Sequence, residues 1–277
     1  MTTGCIIRVF PRRTKATPVD GMAFVGEPPL SEFRPPADEV HVSVTFTWDL
    51  KRAEELARSW GRFYPKVRVG GPALGDAGGE FVSGMYLREG FTITSRGCPN
   101  ACPFCLVRPR EGTIRELPIA DGFDVQDNNL LACSDTHQDA VFAMLARQKT
   151  PIQFTGGLEA RRVDERVIQR LQRVRVGQLF LAYDSTGAWP MTVDAIQRLR
   201  AAGLKLRQVR CYVLSGFGED TVAAAEARCG EVLAAGALPF MMIYQPPDQF
   251  IQYSRQWRNA ARKWTRPAAM LAIGRQW

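Results

Sequence analysis

The sequence predicts an α/β protein in which parallel strands alternate with helices. From residue 91 onward, short runs rich in β-branched residues are separated by amphipathic helical stretches, a pattern typical of repeated βα units. Six such strands predict a partial, open (β/α)6 TIM-like barrel, preceded by a small α/β lobe. The predicted strands are 91–95, 122–127, 151–156, 178–184, 207–215 and 239–244, and the predicted helices are 136–148, 164–174, 191–202, 219–235 and 250–264. The first connection, 106–121, is predicted to be long and irregular.

Length and composition predict one substantial core and a smaller second unit. The chain has 277 residues, a mass of 30.9 kDa and 45% hydrophobic residues, which is enough for a core of that size. In the upstream part, strands at 40–46 and 67–72 flank a helix at 49–60. We therefore expect an N-terminal extension (1–39), a small Rossmann-like lobe (40–88), a partial barrel (89–245) and a basic C-terminal helical extension (246–277).

Hydropathy predicts a protein of the cytoplasm without a membrane span. The longest apolar run, residues 234–244, is interrupted by Gly236 and Pro239 and falls short of the roughly 20 residues that a spanning helix needs. The N-terminus lacks the apolar core of a signal peptide. A reducing compartment is therefore expected.

The net charge of +8 and the isoelectric point near 9.3 favour an acidic partner, with nucleic acid as the first candidate. A solvated, arginine-rich surface is the alternative. Tyr253, Trp257 and Trp264 lie among the basic residues, where they either stack on bases or form the apolar stripe of a helix. The basic residues form two groups, Arg255, Arg258, Arg262, Lys263, Arg266 and Arg275 in the tail and Arg161, Arg162, Arg166, Arg170, Arg173 and Arg175 on and around the predicted helix 164–174.

The most informative pattern is a set of three cysteines directly after the first barrel strand. Cys98, Cys102 and Cys105 have the spacing C-x3-C-x2-C. Structural zinc normally takes four ligands, and no second cysteine pair lies nearby. Seven cysteines, an odd number, argue against a disulfide framework. Soft thiolates are the preferred ligands of a 4Fe-4S cluster, and three of them leave one iron free for a small molecule.

This segment resembles the cluster-binding loop of the radical S-adenosylmethionine (SAM) superfamily, which has the same spacing and an aromatic residue before the last cysteine, here Phe104. The resemblance implies a 4Fe-4S cluster on Cys98, Cys102 and Cys105 and SAM as the second cofactor. It also implies reductive cleavage of SAM to a 5'-deoxyadenosyl radical that removes hydrogen from a substrate, with flavodoxin or ferredoxin as electron donor. Nucleic acid is the leading substrate, and a peptide or small molecule is the alternative. A non-catalytic iron-sulfur redox or scaffold protein is the third hypothesis.

Further candidate residues lie at the ends of the second, third and fourth strands. Asp127, Asn128 and Asn129 stand where superfamily members commonly have Gly-Gly-Glu, which holds the amine of SAM. These three side chains offer equivalent acceptors, or they form an Asx turn. On the third strand, Gly156 and Gly157 either let the backbone approach a ligand or serve a tight turn. Two carboxylates complete the set, Glu159 on the third strand and Asp184 on the fourth, the latter as a ribose or substrate contact.

The fifth strand resembles the superfamily segment that packs under the adenine of SAM. Its apolar run leads into Ser215 and Gly216 and then an acidic helix start. Arg210 and Tyr212 share one face of this strand by alternation. If that face is inward, one of them meets the carboxylate of SAM.

The chain is also similar to radical SAM proteins related to cobalamin-binding members, over about residues 40–245. Those that bind cobalamin through a histidine use Asp-x-His-x-x-Gly, which neither His41 nor His137 provides. We expect no histidine-ligated cobalamin. Methylthio transfer is disfavoured because it requires three further upstream cysteines, and only Cys5 is present there. The remaining cysteines, Cys133, Cys211 and Cys229, are expected to be buried small hydrophobes, with a hydrogen-donor or auxiliary-cluster role as the alternative for the first two.

Overall fold

The computed structural model describes residues 4–76, 79–268 and 270. Within these ranges, strands and helices alternate and the two larger sheets are wholly parallel. The predicted α/β class is therefore confirmed. The N-terminal lobe comprises β1 (Ile6–Phe10), β2 (Ala23–Val25), β3 (Glu39–Ser43), α1 (Leu50–Trp60) and β4 (Val67–Gly70).

The lobe's sheet has the strand order β2-β1-β3-β4. This sheet is larger than predicted, because β1 and β2 come from residues 1–39, which are expected from the sequence to form an extension outside the lobe. The physical reason is the β-branched run Ile6–Phe10, which pairs directly with β3. Leu56 and Trp60 of α1 pack against this sheet without solvent exposure.

The second unit begins with β5 (Phe91–Thr92), and its remaining strands and helices follow in chain order. They are β6 (Ser95–Arg96), α2 (Val107–Glu111), β7 (Arg115–Glu116), β8 (Asp124–Val125), α3 (Asp135–Ala146), β9 (Ile152–Phe154), α4 (Glu165–Gln172), β10 (Val176–Tyr183), α5 (Trp189–Ala201), β11 (Val209–Ser215), α6 (Val222–Ala234), β12 (Leu238–Ile243) and α7 (Arg255–Trp264).

Six of these strands form a parallel sheet in which neighbours in sequence are neighbours in space. The order is β5-β8-β9-β10-β11-β12, as expected when each crossover helix returns the chain to the same sheet. In the described residues, β5 and β12 pair with one strand each. Because the six strands are parallel to one another, their carboxyl ends all lie at one edge of the sheet.

The first strand of the six-stranded sheet differs most from its prediction. The strand predicted over 91–95 ends at Thr92, and Ser95 then enters a short antiparallel pair, β6 with β7. Thr94 and Ser95 leave the parallel sheet because both bind the carboxylate of Asp127. The connection over 106–121, predicted to be irregular, contains α2 and β7.

Side-chain caps define where three of the helices begin. Ser134, Asp164 and Thr221 each accept a hydrogen bond from the backbone N–H three residues later, which satisfies a donor that the first helical turn leaves free. His137 is the residue that Ser134 caps, and it is buried in the first turn of α3. The Asp135-Thr-His137 string thus belongs to a helix start.

The two faces of the six-stranded sheet differ in character. Val209, Cys211 and Val213 of β11 are fully buried in the core beneath the helices. Arg210 and Tyr212 alternate with them and lie on the opposite face. We call this opposite side the second face.

None of the helices in the described residues combines the length and the apolar composition needed to cross a membrane.

A close contact between β8 and β9 requires glycine. The N–H of Gly156 donates to the carbonyl of Val125 at 3.0 Å. A Cβ atom on Gly156 would lie 2.3 Å from the carbonyl oxygen of Asp127, which is far inside van der Waals contact. A larger residue would therefore push the ends of these two strands apart.

We expect Gly156→Ala to lower the free energy of unfolding by about 1–3 kcal/mol, because overpacking forces backbone shifts. Urea denaturation of both proteins measures this. Gly187→Ala is the matched control, since nothing lies within 4 Å of its added Cβ, and it should change stability by less than about 0.5 kcal/mol. Equal effects of the two substitutions would contradict the proposed contact.

Candidate functional site

The cysteine loop, residues 97–105, follows β6 near the carboxyl end of the first parallel strand. The N–H of Cys98 donates to the carbonyl of Gly112 at 3.1 Å. Arg108 donates from Nη1 to the carbonyl of Pro99 at 2.8 Å. The chain that follows the loop therefore helps to set its shape.

Gly97 allows the chain to enter the loop. Its φ is 80°, a left-handed conformation that favours glycine. A Cβ atom here would lie 2.1 Å from the carbonyl oxygen of Thr113. Both the dihedral angle and the available space therefore require glycine before the first cysteine.

The three cysteines of the loop are free thiols and are half-buried. Burial raises the pKa of Cys102, and the neighbouring charges of Cys105, Asp184 and Cys98 raise it further. Burial likewise raises the pKa of Cys105, and Cys98 and Asp184 add to the shift. The three sulfur atoms and the Asp184 carboxylate thus share one neighbourhood. Ligation of a metal by these thiols would release protons.

The donor set of the loop fits an iron-sulfur cluster. In a cubane cluster each thiolate binds a separate iron. Cys98, Cys102 and Cys105 match a 4Fe-4S cluster in number and in softness of the donor.

Asp127 holds the chain that leads into the loop. Its carboxylate accepts hydrogen bonds from the N–H of Thr94 (2.6 Å), the hydroxyl of Thr94 (2.6 Å) and the hydroxyl of Ser95 (2.8 Å). All three residues are buried. Both carboxylate oxygens are thus already engaged, so Asp127 acts as an anchor and does not offer a free acceptor to a ligand amine.

Asn128 is linked to the start of the cysteine loop through Glu111. Its Nδ2 donates to Oε2 of Glu111 at 2.5 Å, and the same oxygen accepts the N–H of Gly97 at 3.1 Å. Arg96 also contacts Glu111, at 3.5 Å. Glu111 therefore links Asn128 to the residue that precedes the first cysteine.

Asn129 reaches the first cysteine itself. Its Nδ2 lies 3.4 Å from Sγ of Cys98 and 2.8 Å from Oε2 of Glu159. The side chain is buried, and its Oδ1 has no hydrogen-bond partner. Hydrogen bonds of this kind orient a metal ligand and tune the metal.

Glu159 connects the third strand to the loop. Burial alone raises its pKa, but hydrogen bonds from Asn129, Asn100 and Arg162 and the charge of Arg161 outweigh this and lower the pKa. Asn100 lies within the cysteine loop and donates to Glu159 at 2.9 Å. Glu159 is therefore a permanently charged tether for the loop.

Asp184 follows β10 and lies beside the cysteines. Burial raises its pKa to about 6, and no described residue donates a hydrogen bond to it. Its charge raises the pKa of both Cys102 and Cys105. Among the predicted site residues, Asp184 is the carboxylate that remains available to a ligand.

Aromatic contacts connect the loop to the fifth and sixth strands. Phe104 meets Phe217 edge to face with 5.6 Å between ring centroids, and Phe217 meets Tyr244 in the same way at 4.9 Å. Gly216, with φ of 79°, sits against Tyr253, whose hydroxyl donates to the Gly216 carbonyl at 3.2 Å. Phe217, which follows Gly216, thus connects Phe104 of the loop to the end of the fifth strand.

Other predicted residues point elsewhere. The hydroxyl of Ser215 is buried and donates to the Val213 carbonyl. Gly156 approaches the backbone of Asp127, and Gly157 has φ of 93° in the turn that follows. These residues shape the strand ends and do not face the cysteine loop.

Arg210 and Tyr212 lie well away from the loop. Arg210 is five residues before Ser215, the last residue of β11, a separation of about 16 Å along an extended strand. The hydroxyl of Tyr212 donates to the carbonyl of Thr155 at 3.0 Å. The placement does not favour a contact of Arg210 with a ligand held at the loop.

The remaining candidate cysteines, Cys133, Cys211 and Cys229, are buried. Burial raises the pKa of Cys133 to about 11 and that of Cys229 to about 12, and it raises the pKa of Cys211 as well. These are the environments of small hydrophobic residues.

A cavity of about 690 Å³ separates the N-terminal lobe from the cysteine loop. The carboxyl ends of β3 and β4 face it from one side, and Ile93, Leu106 and Asn128 line the other. Ligands of parallel α/β sheets bind outside the carboxyl ends of the strands. Two sheets meet that condition at this one cavity.

Sequence reasoning missed several residues that complete the site. Glu111 lies in the segment predicted as irregular, and Thr94 and Ser95 lie in a predicted strand. Asn100, inside the loop, carried no signal beyond its position. The cavity between the N-terminal lobe and the cysteine loop is lined by Gly70 and Gly71 at the end of β4. The sequence alone does not predict it, because it forms only where the lobe lies against the loop.

Comparison with protein-family models and with curated proteins finds no match for this chain. The geometry of the site therefore carries the functional argument.

We expect Asn129→Ala to weaken retention of a reconstituted cluster by roughly 10-fold, because outer-shell hydrogen bonds contribute 10–100-fold to metal affinity. Loss of the visible absorption band during chelator challenge under anaerobic conditions measures this. Asn259→Ala on the exposed face of α7 is the control and should behave as the unmodified protein does. A cluster that survives equally in both variants would contradict a role for Asn129 at Cys98.

Proposed function

We propose that this chain is a radical SAM enzyme that binds a 4Fe-4S cluster through Cys98, Cys102 and Cys105. The observation that carries the proposal is the anchoring of the cysteine loop. Three consecutive residues at the end of β8 hold it at the carboxyl edge of a parallel sheet. Enzymes built on parallel barrels commonly place their chemistry at this edge.

When bound, the cluster and SAM supply a 5'-deoxyadenosyl radical able to remove a hydrogen atom from a substrate. The residues of the chain would position and protect this chemistry. Asn129 would donate to the Cys98 sulfur, and Asp184 would accept from a ribose hydroxyl or from the substrate. The cavity between the lobe and the loop would exclude water from the substrate.

We further propose that the six-stranded sheet curves as a partial (β/α)6 barrel. Its support is the strand order, which follows the sequence from β5 to β12 with every pair parallel. The N-terminal lobe then covers the open side of this barrel, because residues of that lobe line the cavity together with Ile93 and Gln126.

Nucleic acid remains the leading candidate substrate, and exposed arginines on α7 support a binding surface on that helix. Arg255 and Arg262 on the exposed side of α7 make no side-chain hydrogen bond or ion pair within the described ranges. The other arginine group is less available, because four of its members pair with acidic residues. These pairs are Arg161 and Arg162 with Glu159, and Arg166 and Arg170 with Asp135.

The aromatic residues near the tail serve packing. Trp264 is buried and donates from its indole nitrogen to Glu226 at 2.9 Å. Trp257 packs partly buried against the main core. The hydroxyl of Tyr253 donates to the Tyr244 carbonyl at 2.7 Å. Phosphate contacts by arginine, without base stacking by these rings, are therefore the favoured mode.

A cytoplasmic location and an electron donor such as flavodoxin or ferredoxin belong to the same proposal. Half-buried thiols at Cys98, Cys102 and Cys105 would need a reducing compartment to assemble an oxygen-sensitive cluster.

Anaerobic incubation with iron, sulfide, a reductant and SAM should yield 5'-deoxyadenosine, and Cys98→Ala should yield none. Liquid chromatography with mass detection measures the product. Cys5→Ala is the matched control, because Cys5 is an exposed thiol outside the loop and its removal should leave the yield unchanged. A cluster without 5'-deoxyadenosine would support the non-catalytic iron-sulfur hypothesis, and product from Cys98→Ala would refute the assignment of the loop.

Binding of nucleic acid should weaken with salt, with a linear dependence of log affinity on log salt concentration. The double substitution Arg255→Gln, Arg262→Gln should reduce that slope by about 2, one for each lost phosphate contact. Filter binding over a salt series measures it. Arg198→Gln, which removes a surface arginine paired with Asp194, should leave the slope unchanged. Affinity that is independent of salt would favour the peptide or small-molecule alternative.

A further inference from the structure

We propose that Arg210 binds an oxyanion, a carboxylate or phosphate group, of a molecule that occupies the second face of the six-stranded sheet. The site is distinct from the cysteine loop and lies near the amino end of β11.

Arg210 differs from the other buried arginines. Among the described residues, Arg8, Arg170 and Arg210 are at most 7% exposed. Arg8 pairs with Asp20, and Arg170 pairs with Asp135 and Asp139. Arg210 has neither an ion pair nor a hydrogen bond to any described residue. A guanidinium is always charged in a protein, so burial without a partner leaves this cation uncompensated.

The atoms of the guanidinium confirm its isolation. Nε and Nη2 of Arg210 are both buried without a hydrogen-bond partner. Its closest described groups with favourable charge are the rings of Phe180 and Phe240, whose centroids lie 5.3 and 5.4 Å from Cζ. Rings at these distances attract the cation, but they do not accept hydrogen bonds from the N–H groups that lie in the plane of the guanidinium.

Polar groups elsewhere on this face are already used. Asp124 accepts hydrogen bonds from Thr155 and Gln126 at its Oδ1, and neither of its carboxylate oxygens accepts a hydrogen bond from Arg210. The hydroxyl of Tyr212 donates to the Thr155 carbonyl. Burial lowers the pKa of Arg210, and no carboxylate opposes this effect. No described residue supplies an acceptor for the buried Nε and Nη2 of Arg210.

The surroundings define the chemical class of the ligand. A planar guanidinium fork matches carboxylate and phosphate in bidentate geometry. Phe180 and Tyr212 stack with centroids 4.3 Å apart, and Phe240 meets both rings edge on. An anion attached to a flat apolar group fits this wall. That the anion is part of the substrate rests on the proposed function, whereas its binding does not.

Isothermal titration of the full chain with benzoate and with phenyl phosphate tests the site and distinguishes the two oxyanions. The unmodified protein and Arg198→Gln, which removes a surface arginine paired with Asp194, should bind at least one probe saturably, and Arg210→Gln should bind it at least 10-fold more weakly. Should Arg210→Gln not fold, Arg210→Lys keeps the charge, loses the fork and should still weaken binding. Failure of the unmodified protein to bind either probe, or equal binding by a folded Arg210 variant, would overturn the proposal.

A thermal melt without any probe supplies a second measurement. Arg210→Met removes an unpaired buried charge and should raise the melting temperature. A charged group that is kept buried for ligand binding destabilises the folded protein while the ligand is absent. A fall in melting temperature would assign Arg210 to packing and overturn the inference. Neither measurement uses iron or SAM, so failure of 5'-deoxyadenosine formation would leave this result standing.

Discussion

Three consecutive side chains at the end of β8 hold the cysteine loop to the sheet, and the geometry of the candidate site depends on them. Asp127 fixes the approach to the loop, Asn128 acts through Glu111 on Gly97, and Asn129 reaches Cys98. Hydrogen bonds to charged groups contribute about 1.5–3 kcal/mol each. Because Asp127 is buried, loss of any of its partners would leave part of a carboxylate unsatisfied.

The third and fourth strands extend this arrangement. Glu159 holds the loop from β9 through Asn100, and Gly156 lets β9 come close enough for that contact. Asp184 then approaches the thiols from β10 without being tied to any of the described residues. The site therefore combines a rigid support on one side with an uncommitted acidic group on the other. Such a division suits a site that must hold one ligand tightly and recognise another.

Local patterns predicted much of this arrangement. The alternation of strands and helices identified the parallel sheet, and the rule that sites lie at strand ends identified Asn129, Glu159 and Asp184. What failed depends on distant partners. The carboxylate of Asp127 is occupied by Thr94, 33 residues away, and no local signal reveals that pairing. The end of β11 was predicted correctly at Ser215. The distance of Arg210 from a ligand at the cysteine loop depends on where that loop lies relative to the strand, and local patterns do not give this placement.

The open form of the large sheet has a consequence for solubility. An open sheet leaves two edge strands whose free N–H and C=O groups can recruit other chains. Here α7 packs against β12, burying Ala260 and Trp264, while β5 at the other edge is only two residues long. We therefore expect α7 to hinder the addition of another strand to β12. Shortening the chain before Arg255 would be expected to expose an aggregation-prone edge as well as to remove a basic surface.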